Sequence, residues 1–211
     1  MIATRTALAT ALLVLLAGPG CSDDGAPATD LGAADTVAPV DAAPPDGPLP
    51  RTFGGKRPVT ITLPAGYDGT RKWPLVLVLH GYGASGFMQE TLLGYRALAP
   101  KAGFFLASPD GTVDSNNKRF WNATDACCDF GGTGVDDVAY LTGLIDAIGS
   151  VYSIDPDRVY LIGHSNGGFM AYRMACERAS RLAAVISLAG ATYDDTTMCK
   201  PDARVSVVQI H

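Results

Sequence analysis

The sequence predicts an α/β fold, a mostly parallel sheet with helices on both faces. Three observations carry this. From residue 51 onward, strand-like and helix-like segments alternate. The run Pro74 to His80 is apolar without alternation, as a strand buried on both faces requires. A Gly-x-Ser-x-Gly turn, Gly163 to Gly167, then joins another apolar strand directly to a helix.

The elements follow in order. Val59 to Leu63 alternates and stops at Pro64, like an edge strand. After Pro74–His80, the segment Ser85 to Ala99 reads as a helix stopped by Pro100 and Gly103. Phe104 to Ser108 is a strand ended by the turn signal Pro109-Asp110-Gly111, and a loop runs from Thr112 to Gly134. Val135, Val138, Leu141, Ile145 and Ile148 mark one helix face, with Asp136 and Asp137 in the first turn, where the helix dipole favours them. Val159–Ile162 is a strand, Gly167–Glu177 a helix, and Ala183–Leu188 and Val205–Ile210 two more strands.

The net charge of −5 is not spread evenly. Residues 22–50 hold six Asp, six Pro and no Lys or Arg. From Arg51 to His211 there are 15 acidic and 15 basic residues. The folding part is therefore neutral, and no basic field exists to hold a nucleic acid. Residues 1–20 read as an export signal: Arg5, then the apolar stretch Ala7–Ala17, shorter than the about 20 residues that span a bilayer. Small residues follow, and then Cys21. This pattern is similar to a bacterial lipoprotein signal, which makes Cys21 the expected lipidation site and that anchor the expected membrane link. Simple secretion is the alternative. Residues 21–50 cannot bury enough apolar surface to order themselves and read as an extended tether. That leaves residues 51–211 as the domain.

The segment Val159 to Met170 carries the chemistry. Gly163, Ser165 and Gly167 form the nucleophile-elbow pattern in its required context, between strand and helix. Such a turn is sharp enough to strain the serine backbone, and the glycines remove side chains that would strike the neighbouring strand and helix. Ser165 is thus the candidate nucleophile. His80-Gly81-Tyr82-Gly83 follows directly on a buried strand. A turn of this kind offers backbone N–H groups to a developing oxyanion, here those of Tyr82 and Asn166. The imidazole of His80 is read as structural. With Cys21 set aside, Cys127, Cys128, Cys176 and Cys199 remain, an even number that suggests disulfides in an exported protein. No spacing among them or the three His suits a metal site.

These segments together resemble the secreted polyhydroxybutyrate depolymerase and feruloyl or acetylxylan esterase family of α/β-hydrolases. The likeness rests on Pro74–Gly83, Ala102-Gly103-Phe104, Pro109-Asp110-Gly111, Trp121-Asn122, Cys127-Cys128, Val135–Val138 and Ile154–Tyr160 leading into the elbow. It implies hydrolysis of a small or polymeric ester through an acyl-enzyme, with no metal or cofactor. It implies a Cys176–Cys199 pair and leaves Cys127 and Cys128 either bridged or free. It places Trp121 near the cleft, where the indole either lines the acyl or sugar site or covers the core. No segment specifies an oligomeric state.

A serine nucleophile needs a base and an orienting acid, which in this fold follow it in the order Ser, Asp or Glu, His. By the resemblance the acid comes after the strand Val205–Ile210. His211 then matches a turn position rather than the base, and Asp194, Asp195 and Asp202 lie in the wrong loop. The expectation is a domain that lacks the last strand and helix, with an unpaired edge at Val205–Ile210 and little turnover alone. It is either a fragment of an esterase or an inactive truncated relative. The competing functions are a ligand-binding surface lipoprotein and a serine peptidase of the same fold.

Overall fold

The computed structural model describes residues 48–211. The export signal, Cys21 and nearly all of the tether lie outside the described residues.

A short antiparallel pair, β1 (Thr52–Phe53) and β2 (Val59–Thr60), opens the domain. The expected edge strand continues only as an isolated antiparallel bridge, Thr62 to Leu106. β3 (Trp73–Leu79) is the buried run. The expected single helix is two, α1 (Gly86–Leu92) and α2 (Tyr95–Ala102). Gly94 breaks them apart in the left-handed region, at φ 73°. Ser85 caps α1 by accepting from the Met88 N–H. Pro100 does not stop α2. It lies inside the helix, which runs on until Gly103, left-handed at φ 78°, donates its N–H to Ala99. A proline removes one donor, but a left-handed glycine turns the chain away.

β4 (Phe105–Ala107) follows. The stretch read as one loop contains a hairpin, β5 (Thr112–Val113) and β6 (Arg119–Phe120). Its turn is built by the Asp114 carboxylate, which accepts from the N–H groups of Asn116 and Lys118, each at 2.8 Å. α3 (Asp137–Gly149) is capped by Asp136, and β7 (Ile154–His164) is longer than expected. β7 pairs first through Ile154 with Trp73 and then, after a register shift, through Val159 with Leu75. The intervening bulge takes up Pro156 and is closed by Arg158 donating to Asp155 at 2.7 Å. α4 (Asn166–Glu177), β8 (Ala184–Leu188) and β9 (Ser206–Ile210) complete the order.

The main sheet runs β4-β3-β7-β8-β9, and every neighbouring pair is parallel. Alternate residues of β3 reach opposite faces. Leu75, Leu77 and Leu79 join the core built with α3 and α4, while Val76 and Val78 pack with Ala99 of α2 and Leu106. Both faces are therefore covered, and the chain turns from β3 and β7 into loops at the same sheet edge. β9 is exposed along its whole length.

Candidate active site

β7 delivers Ser165 to the start of α4 with φ 52° and ψ −121°, a conformation that costs a non-glycine residue energy. The surroundings hold it there. A Cβ on Gly163 would lie 1.9 Å from the Gly167 carbonyl oxygen, inside the helix. One on Gly167 would lie 2.4 Å from the Leu79 carbonyl oxygen, inside β3. The two glycines thus permit a strand–helix approach that no other residue would. Ser165 donates its N–H to Leu188 of β8 at 2.7 Å, and its carbonyl accepts from Gly168 and Phe169 at 2.7 and 3.1 Å. The hydroxyl stands at the N-terminus of a 12-residue helix, where the dipole favours negative charge.

The turn after β3 lies against the elbow. A Cβ on Gly81 would meet Ser165 Cβ at 3.4 Å. Gly83 is left-handed at φ 77° and donates to Arg119 of β6 at 2.8 Å. His80 is fully buried. Its Nε2 accepts from the Gly111 N–H at 2.9 Å, so Nδ1 carries the proton and donates to the Gly81 carbonyl at 2.8 Å. Burial pushes the imidazole below its ordinary pKa, while the Gly81 carbonyl pulls it back up. It stays neutral and ties two loops together. Among the described residues, neither the Tyr82 nor the Asn166 backbone N–H has a hydrogen-bond acceptor.

Trp121 has no exposed surface, which removes it from the cleft wall. Its Nε1 donates to the His80 carbonyl at 3.1 Å, and its ring lies between His80 and Tyr140, with centroids 5.2 and 6.5 Å away. The exposed aromatic at this end is Phe130, edge-on to Tyr82 at 5.4 Å. The Tyr82 hydroxyl donates to Asp114 at the hairpin tip.

Asp137 does not face solvent with Asp136. It is fully buried, 2.5 Å from Arg57, whose guanidinium lies 3.6 Å over the Tyr140 ring. Burial raises the carboxyl pKa against the lowering influence of Arg57. A signal for this existed: Asp137 shares the helical stripe of Leu141, Ile145 and Ile148. Nothing in the sequence marked Arg57.

Cys176 and Cys199 are bridged, with Cα atoms 4.8 Å apart, and Cys127 and Cys128 are joined to each other. No group of three or more His, Cys, Asp or Glu that could hold a metal is found among the described residues. Asp195 caps a short turn, Asp202 accepts from Ser180, and Asp194 donates its N–H to Asp125. Among the described residues, no imidazole or carboxylate is hydrogen-bonded to the Ser165 hydroxyl.

The family model described as Esterase PHB depolymerase matches residues 59–204, from β2 to just before β9. The chain belongs to that family. NocK of Nocardia uniformis subsp. tsuyamanensis, which carries an esterase name, is 34% identical over 138 residues, covering 65% of this chain and 39% of NocK. Feruloyl esterase B of Piromyces equi is 29% identical over 151 residues, covering 69% of this chain and 26% of that protein. The solved acetyl xylan esterase from Aspergillus awamori superposes with a TM-score of 0.53 at 19% identity, over 74% of this chain and 58% of that one. That likeness shows the shared α/β-hydrolase fold. The chain spans less than half the length of NocK and of the feruloyl esterases of Aspergillus terreus and Piromyces equi.

Proposed function

We propose that the chain carries the nucleophile and oxyanion hole of a carboxylic-ester hydrolase working through an acyl-enzyme. The observation that carries this reading is Ser165 at φ 52° on a strand–turn–helix junction whose glycines admit no side chain. The unpaired amides of Tyr82 and Asn166 support it. Ser165 Oγ attacks the ester carbonyl carbon, and the carbonyl oxygen takes the electron pair. The Tyr82 and Asn166 N–H groups receive that oxygen. The intermediate collapses, the C–O bond to the alcohol breaks, and the acyl group stays on Ser165 until water releases it. The proton of Ser165 needs a base. In this fold's chain order the acid and the His come after the serine, and among the described residues neither is hydrogen-bonded to the Ser165 hydroxyl.

The names of the relatives favour acyl groups esterified to sugar polymers, or polyesters. Phe130, exposed beside Tyr82, is assigned to the substrate side, and Trp121, fully buried, takes the core-covering one of its two expected roles. Export through residues 1–20 and anchoring through Cys21 belong to the same reading. Palmitate labelling lost in Cys21→Ala would support the anchor, and secretion of unlabelled protein would replace it.

The test is hydrolysis of p-nitrophenyl acetate by the full-length gene product beside Ser165→Ala. Loss of the nucleophile lowers kcat by about 10⁶. Equal rates would remove Ser165 from the mechanism. Equal preference for peptide and ester panels would move the assignment toward a peptidase.

A further inference from the structure

The side chain of Asn166 is completely buried and reaches the backbone of Trp121, 45 positions away, with a further weak contact from its Nδ2 to the Cys127 Sγ at 3.7 Å. Its Oδ1 accepts from the Trp121 N–H at 2.7 Å, and its Nδ2 donates to the Trp121 carbonyl at 2.9 Å. Both ends of one planar amide are thereby fixed to one residue's backbone, so the side chain cannot rotate without losing both bonds. Trp121 is itself held on two sides. Its indole N–H donates to the carbonyl of His80, in the turn that carries Tyr82. The next N–H, that of Asn122, donates to Asp137 at 2.7 Å, and Asp137 is paired with Arg57.

This network joins the two segments whose amides stand without acceptors. The backbone N–H of Asn166 belongs to the elbow, and that of Tyr82 belongs to the turn after β3. The strands that carry them are paired as far as Leu79 and Gly163, but beyond that pair no backbone hydrogen bond joins the two segments among the described residues. Trp121 touches both, by its backbone to Asn166 and by its ring to His80. We propose that the Asn166 side chain is a positioning residue. By clamping the Trp121 backbone it sets the plane of its own backbone N–H, and the Trp121 indole carries the same frame to the Tyr82 turn. The two oxyanion donors are thus held in mutual register. This rests on the serine-esterase reading of Ser165.

The clamp also explains the residue type. Alanine or serine at 166 would leave the Trp121 N–H and carbonyl without partners in a dry site. Leucine would fill the space but supply neither donor nor acceptor. An aspartic acid can replace the amide only when protonated, because its carbonyl then accepts and its O–H donates.

The experiment uses the full-length gene product with Asn166→Ala, Asn166→Asp and Ser165→Ala. It measures kcat and KM for p-nitrophenyl acetate, inhibition by phenylboronic acid as a tetrahedral mimic, and thermal unfolding. Asn166→Ala is expected to lower kcat by about 10- to 100-fold, below the full cost of deleting a donor, with KM nearly unchanged. Affinity for the boronic acid falls by a similar factor. For Asn166→Asp, the ratio of its kcat to the unaltered enzyme's approaches one at the acid end of the pH range, where the carboxyl is protonated. It falls once the buried carboxylate forms beside the oxyanion. A merely structural role would lower the unfolding temperature without moving kcat per folded enzyme or the boronic acid affinity. The proposal is overturned if Asn166→Ala keeps its kcat, if the loss sits in KM, or if Asn166→Asp stays slow even at the acid end. Should Asn166→Ala fail to fold, the Asn166→Asp ratio decides alone. An active Ser165→Ala would reject the esterase reading and this proposal together. An inactive Ser165→Ala with normal Asn166 variants would reject this proposal only.

Discussion

Gly163 is the residue on which the elbow turns. An alanine there would place its Cβ 1.9 Å from the Gly167 carbonyl, and neither backbone can yield without moving α4 off β7. Gly163→Ala should therefore destabilise the 211-residue chain by about 3 kcal/mol or more in urea unfolding. Gly143, inside α3, is the control. Nothing lies within 4 Å of its missing Cβ, so Gly143→Ala should stabilise by about 0.5–1 kcal/mol. Phe130→Ala removes an exposed ring beside Tyr82. It should raise KM for p-nitrophenyl benzoate several-fold in the full-length product and leave p-nitrophenyl acetate unchanged. Equal KM values would take Phe130 out of the substrate side. At this scale the sequence was readable where one residue type answers to one backbone demand, as at Gly163, Ser165 and Gly167. It was not readable where the demand came from far along the chain. The family resemblance put Trp121 near the cleft and left open whether it lines the site or covers the core; its environment is set by His80, Tyr140 and Asn166. The same is true of Asp137, whose partner Arg57 lies 80 residues away.

The elements were legible in proportion to their apolar content. β3, α3, α4 and β8 bury continuous or periodic apolar residues and fall close to where the pattern puts them. The two-residue strands β5 and β6 escaped because their turn depends on one carboxylate, Asp114, and not on a hydrophobic period. Pro100 misled because a proline late in a helix forfeits one hydrogen bond without ending the helix. Two tethers hold the segment between β8 and β9. Cys176 and Cys199, 23 residues apart, fix the end of α4 to it. Replacing both by serine should cost ~3 kcal/mol by loop-closure entropy, seen as a lower unfolding temperature. Asp202 accepts from the Ser180 N–H at 2.9 Å and from its hydroxyl at 2.5 Å, and these bonds lower its carboxyl pKa, the hydroxyl contributing most. A carboxyl depressed in the folded state stabilises above its unfolded pKa, near 3.9, and that contribution is lost as pH falls through the folded value. Asp202→Asn should therefore flatten the acid limb of the stability profile and leave the neutral limb's shape unchanged. An unchanged acid limb would show that this contact contributes nothing.

For the whole molecule, the five parallel strands place the ends of β3 and β7 side by side, so that the turn after β3 meets the elbow after β7. That juxtaposition is a property of strand order, and no local pattern contains it. The opposite flank is different. β9 pairs with β8 on one side, and Val207, Val208 and Ile210 are exposed. An apolar edge of this kind seeks further pairing. The 211-residue polypeptide should show concentration-dependent association in sedimentation, reduced by Val208→Lys. A monomer at all concentrations would count against an open edge. Covalent trapping decides whether Ser165 is the nucleophile. The full-length gene product is treated with a fluorophosphonate, digested and analysed by mass spectrometry. The expected result is one phosphonate per chain, on the peptide containing Ser165, with no label in Ser165→Ala. Labelling at another serine, or undiminished labelling in Ser165→Ala, would contradict it.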